Sequence, residues 1–139
     1  MTFRNKHRLA ALLALVIGLL TIVEGGIVLL GLETKPYPVL PWLLRYNVVM
    51  GVVSLAAGHG LWREQGWAEM LSRMILACHA AVFLSLAGMH LLGMTVAVNS
   101  IMAMLFRTVI WIGINFTIRG KGGRKGRGRA RRGMSKYKT

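Results

Sequence analysis

One carboxylate, Glu24, lies inside an apolar run over residues 9–32 whose only other polar side chain is Thr21. A charge held near a bilayer centre costs about 2.5–3.5 kcal/mol on insertion scales, so such an acid is paired, neutralised or functional. Later apolar runs carry the groups that can answer it: Arg45, Tyr46 and Asn47, then Asn99 and Arg107. At ~1.5 Å per helical residue, Glu24 sits about 12 Å inward from residue 32, Arg45 about 8 Å from residue 40 and Arg107 about 16 Å from residue 96. Arginine side chains are long enough to cover those offsets. Glu24 is therefore expected to pair with Arg45 or Arg107, with Asn47, Tyr46 and Asn99 as further members of an intramembrane polar cluster. Such a cluster is either a clasp that fixes helix register or a site opening outward for a proton, an ion or a small polar solute. Arg45 alone can also snorkel to an interface. Arg107, with eleven residues of its run on either side, has the least room to do so.

The remaining reactive side chains do not assemble a known chemistry. His79 and His90 lie about 16 Å apart along one helix, and His59 and His79 sit at different depths, so no pair can clamp a haem. They read as packing or interhelical hydrogen-bonding histidines. Cys78 is the one cysteine, without a disulfide partner or metal-ligand spacing, and is expected to be a buried inert thiol. Four acids, two of them in one loop, and serines without an ordered base exclude a hydrolytic set. Neither an enzyme nor a cofactor or metal is expected.

The elements that must hold the cluster are four apolar runs at 9–32, 40–62, 70–92 and 96–118. Each is long enough to cross a hydrocarbon core about 30 Å thick. Unpaired backbone groups are not tolerated in lipid, so each run is predicted to be helical. The predicted fold class is all-α, a four-transmembrane-helix bundle over residues 1–118 followed by a basic tail over 119–139. All three prolines, Pro36, Pro38 and Pro41, fall in the first connection and stiffen it. The second, Arg63 to Glu69, has Gly66 placed for a tight turn, and the third, near Gly93, is short. Arg4, Lys6 and Arg8 before the first run resemble a signal peptide, yet the apolar stretch is too long for one and has no cleavage site, so an uncleaved span is expected. Lys and Arg concentrate at the N-terminal segment, the second connection and the tail, which by the positive-inside rule places both termini in the cytoplasm. Trp42, Trp62 and Trp67 mark interfaces.

With 55% hydrophobic residues and a mean hydropathy of +0.54, the 139-residue chain is too apolar for a water-soluble domain of its size. The net charge of +14 is unevenly placed: ten basic residues and no acid follow residue 118, leaving +4 for the rest. Within that tail Arg119, Lys121, Arg124, Lys125, Arg127, Arg129, Arg131 and Arg132 are interspersed with glycine, and up to Gly133 no apolar residue is larger than alanine, too little to offset chain entropy. The tail reads as disordered and bound to anionic lipid headgroups, each basic residue contributing about 1 kcal/mol near such a surface. Nucleic acid is the alternative partner, weakened by the lack of stacking aromatics other than Tyr137. Small residues recur every four positions at Ala14 and Gly18, at Ser54 and Gly58, at Ala56 and Gly60, and at Ala77, Ala81 and Ser85. Such rows let helices approach closely, within the bundle or between molecules.

The turn Gly60-Leu61-Trp62-Arg63 with Trp67-Ala68-Glu69 and Leu71 resembles the helix connection of small four-helix bacterial membrane proteins of uncharacterised function, over about a tenth of the chain. The resemblance implies a bacterial inner-membrane protein and no particular activity. Small multidrug resistance transporters share the length, the four spans and a glutamate in the first helix. Here the acid stands in Thr21-Ile22-Val23-Glu24-Gly25-Gly26, and the aromatics of their binding chamber have no counterpart. The expected function is that of an accessory, assembly or structural interaction component of the inner membrane, partnered by lipid and by other membrane proteins or itself. The alternative is an oligomeric proton- or ion-coupled transporter using Glu24.

Overall fold

The computed structural model describes residues 3–119, and each apolar run in it is a helix: α1 (Phe3–Leu29), α2 (Pro41–Trp62), α3 (Gly66–Leu91) and α4 (Val98–Ile118). No strand occurs among the described residues. Of the tail, only Arg119 is described, exposed at the end of α4; the expectations for residues 120–139 lie outside the described residues. Pro41 opens α2, where its missing donor and fixed φ cost nothing.

Three helices end in the same way. Gly31 N–H bonds Val28 O at 3.1 Å and Leu32 N–H bonds Ile27 O at 3.0 Å, the paired closure that needs a left-handed residue, and Gly31 supplies it at φ 71°. Gly93 does the same for α3 at φ 77°. At the end of α2 the left-handed position falls on Glu64, φ 53°, and not on the glycine expected to make that turn. Gly66 instead begins α3, four residues before the predicted start, so the connection shrinks to residues 63–65. The closure of α2 through Glu64 N–H to Leu61 O and Gln65 N–H to Gly60 O dictates this placement.

Consecutive helices pack against one another and α4 returns to α1, closing an up-and-down ring whose largest interface is α1 with α2. That interface is built on glycine. A Cβ on Gly51 would lie 2.6 Å from Ile22 Cγ1 and 3.0 Å from the Gly18 carbonyl oxygen, and one on Gly58 would lie 2.8 Å from Leu15 Cγ. Ala14 and Gly18 therefore work inside the bundle, as does Gly60 against Trp67 and Ala68 of α3. Ala56 is exposed, and so is the whole row Ala77, Ala81 and Ser85. Trp111, fully buried, centres the main core with Ile75, Leu61, Ala57 and Ile114, and a smaller core of Leu43, Leu86, Val96 and Met104 lies nearer the other end. Buried hydroxyls of Thr21, Ser54 and Thr108 bond the carbonyl four residues back, so no partner from another helix is needed.

Three helices, α1, α3 and α4, are long and apolar enough to cross a membrane. The fourth, α2, carries Arg45, Asn47 and His59 and is not among them. Cys78, expected to be buried, is exposed. It lies one residue from His79 on α3, about 100° around the helix from the face that packs inward.

The Gly51 contact leaves no room for a methyl group. Gly51→Ala should lower stability by about 1–3 kcal/mol. Gly113→Ala, which meets nothing within 4 Å, should leave stability unchanged or raise it by about 0.5–1 kcal/mol. Thermal unfolding of both variants in one detergent checks the contrast.

Candidate functional site

Side chains on a helix lean toward its N-terminus. Because α1 and α4 are antiparallel, Glu24 leans toward the chain-terminal end of the bundle while Arg107 leans toward the opposite end, and the two converge. Arg107 Nη2 donates to Glu24 Oε2 at 3.3 Å, and Nη1 donates to Asn47 Oδ1 at 3.2 Å. One guanidinium thus ties α4 to both α1 and α2. The Arg107 side chain is only 9% exposed, whereas that of Glu24 is 55% exposed. Both bonds are longer than the ~2.7–2.9 Å of tight charge-assisted pairs, so the hold is loose.

The pair lies on a cavity of about 80 Å³ at the end of the bundle formed by the 30–40 and 92–97 connections. Its polar lining is Glu24, Lys35, Tyr37, Asn47, Asn99, Ser100 and Arg107. That volume holds two or three waters at about 30 Å³ each. Lys35 donates to Glu33 Oε1 at 2.8 Å, and this hydrogen bond raises the Lys35 ammonium above its usual range. Beyond Asn47 and Arg107 toward the chain-terminal end lies the buried apolar core with Met50, Ala57, Ile75 and Trp111.

Of the residues expected to cluster, Glu24 and Asn47 each accept a bond from Arg107 and Asn99 lines the same cavity. Arg45 is exposed, makes no hydrogen bond or ion pair among the described residues and is not on the cavity lining. Two residues along a helix are about 200° apart, so when Asn47 faces Arg107 its neighbour Arg45 faces away. Tyr46, between them, points to α3 and bonds His79 Nδ1 through its hydroxyl at 2.8 Å. His79 also lies 6.5 Å, ring to ring, from Trp111; His59 and His90 are exposed. Lys35, Tyr37 and Ser100 enter the lining without having been foreseen. Helical depth says nothing about Lys35 and Tyr37, because they belong to a connection folded back over the bundle end.

No protein-family model, curated protein or solved structure matches this chain.

Removing the acid leaves a buried guanidinium with only amide partners. Glu24→Gln should lower stability in detergent by about 1–2 kcal/mol, less than a fully buried pair would lose because the carboxylate is half exposed. Arg45→Gln should change it by less than about 0.5 kcal/mol. Melting curves of the two variants against the parent test this directly.

Proposed function

We propose that the chain is a four-span inner-membrane protein that works by lateral association, as an accessory or assembly component, with α3 as its partner-facing helix. The observation that carries this is the division of labour among the helices. Arg107 binds α1, α2 and α4 to one another and α3 joins them on its inner side through Tyr46 to His79 and Asn115 to Ser72 O, while its outer side keeps Ala77, Ala81 and Ser85 exposed in one row and it buries less of itself than the other candidate spans. Gly88, with open space where a Cβ would lie, extends the row. Small side chains gain little against lipid but let a second helix approach closely.

The crossing of α2 is part of the same proposal. At 22 residues it is about 33 Å long, it packs between α1 and α3, and two of its polar groups find partners inside the bundle. The basic residues at the N-terminal segment, at Arg63 and in the tail favour a cytoplasmic location for both termini. Arg8 stacked 5.6 Å over the Trp62 ring fits an interfacial position for that end. The resemblance of the α2–α3 turn supports a bacterial origin, and the tail composition supports anionic lipid binding.

Proton- or ion-coupled transport is the second function to weigh, favoured by the half-exposed Glu24 on an open polar cavity. The buried apolar core beyond that cavity argues against a route through one copy, so transport would need an oligomer or a second conformation.

Ala81→Leu should remove co-purifying membrane partners in mild detergent without shifting the melting temperature, whereas Glu24→Gln should leave them in place. Oxidation of Cys78 in membranes tests for self-association: a disulfide-linked dimer marks a second copy on this face. An unchanged set of partners with Ala81→Leu would overturn the assignment of α3.

A further inference from the structure

We propose that the cavity between α1, α2 and α4 binds a small carboxylate anion on Arg107, which releases Glu24, and that Glu24 takes up a proton in exchange. The inference deepens the transport alternative by naming its solute class, but it concerns binding and does not require that anything crosses.

The cavity is rich in donors. A guanidinium has five N–H donors and no acceptor, and only two bonds from Arg107 are made to Glu24 and Asn47. Because Arg107 can only donate, Asn47 must turn its carbonyl oxygen to it, and that leaves the Asn47 amide N–H₂ as a further donor. Asn99, Ser100, Tyr37 and the Lys35 ammonium add donors around the same space. Glu24 is the lone carboxylate on this lining.

That carboxylate shows what the site accepts. Arginine and carboxylate match in a planar fork, and Glu24 already meets one arm of it, through a single long contact. A free carboxylate of three to five heavy atoms suits about 80 Å³ and can engage both arms together with the amides. Glu24, deprived of its cation, is then an acid without a counter-charge, and its half-exposed carboxylate is open to a proton that supplies one. The exchange balances: one anion and one proton enter, the only covalent bond formed is the Glu24 O–H, and the net charge is unchanged. The other charged or titratable groups within reach are Lys35 and Tyr37 from the 30–40 connection, Tyr46 from α2 and His79 from α3. Lys35 is held by Glu33, and Tyr46 and His79 are bonded to each other away from the lining.

Sodium acetate is the probe, titrated into the full chain in detergent between pH 7.5 and 5.5 and followed by calorimetry, with sodium chloride and methylammonium as controls. Acetate should bind saturably while the controls do not, and its affinity should rise with falling pH, approaching tenfold per unit for one linked proton. In Glu24→Gln the affinity at pH 7.5 should be higher and the pH dependence absent. Asn99→Ala with Ser100→Ala, outside the Arg107 clasp, should weaken acetate severalfold without altering the melting temperature. Absence of acetate binding in folded parent protein, equal binding of chloride, or a pH slope that persists in Glu24→Gln would each overturn the proposal. Acetate uptake by proteoliposomes is a separate readout: binding without uptake leaves the site standing and defeats transport.

Discussion

A guanidinium buried in an apolar helix bundle has to be answered, and the answer Arg107 receives organises this molecule. Left alone it would carry the desolvation of a full charge, a cost that pairing removes only when donors and acceptors meet in register. Glu24 and Asn47 meet it from two different helices. Sliding α1 or α4 by one turn would move the partners about 5.4 Å apart along the axis and break the contact. Apolar packing alone would resist such a slide weakly, because leucine gains little by leaving lipid for another leucine.

Around that fixed point the two ends of the bundle differ. One end is polar and partly open, with the 30–40 connection bringing Lys35 and Tyr37 over the clasp. The rest is filled by Trp111, Ile75, Leu61 and the glycine-mediated contact of α1 with α2. Tyr46 to His79 is the hydrogen bond that ties α3 to α2, just beside the clasp in sequence yet facing the other way. The outer side of α3 remains uncovered, and the proposed lateral association rests on that face.

The sequence made the chemistry of the clasp legible because depth along a helix follows from counting residues. Glu24 and Arg107 were matched in that way, and Asn47 and Asn99 with them. Azimuth was harder. Arg45 has a suitable depth, but its place on α2 relative to Asn47 turns it outward, and Cys78 is turned outward beside His79 for the same reason. Both follow from which face of a helix packs, and with apolar residues all round these helices no sequence pattern marks that face. The left-handed turn residue at Glu64 was hidden because glycine was available two residues later. Gly51, the tightest point of the α1–α2 interface, lay outside the four-residue rows that flagged its neighbours.

The dependence of the bundle on one ion pair is most directly measured by a double-mutant cycle on Glu24→Gln and Arg107→Gln, with unfolding free energies taken in one detergent. A coupling of about 1–3 kcal/mol is expected if the two side chains hold α1 and α4 in register. Effects that add within about 0.5 kcal/mol would mean that Arg107 and Glu24 act independently and that something else fixes the helices.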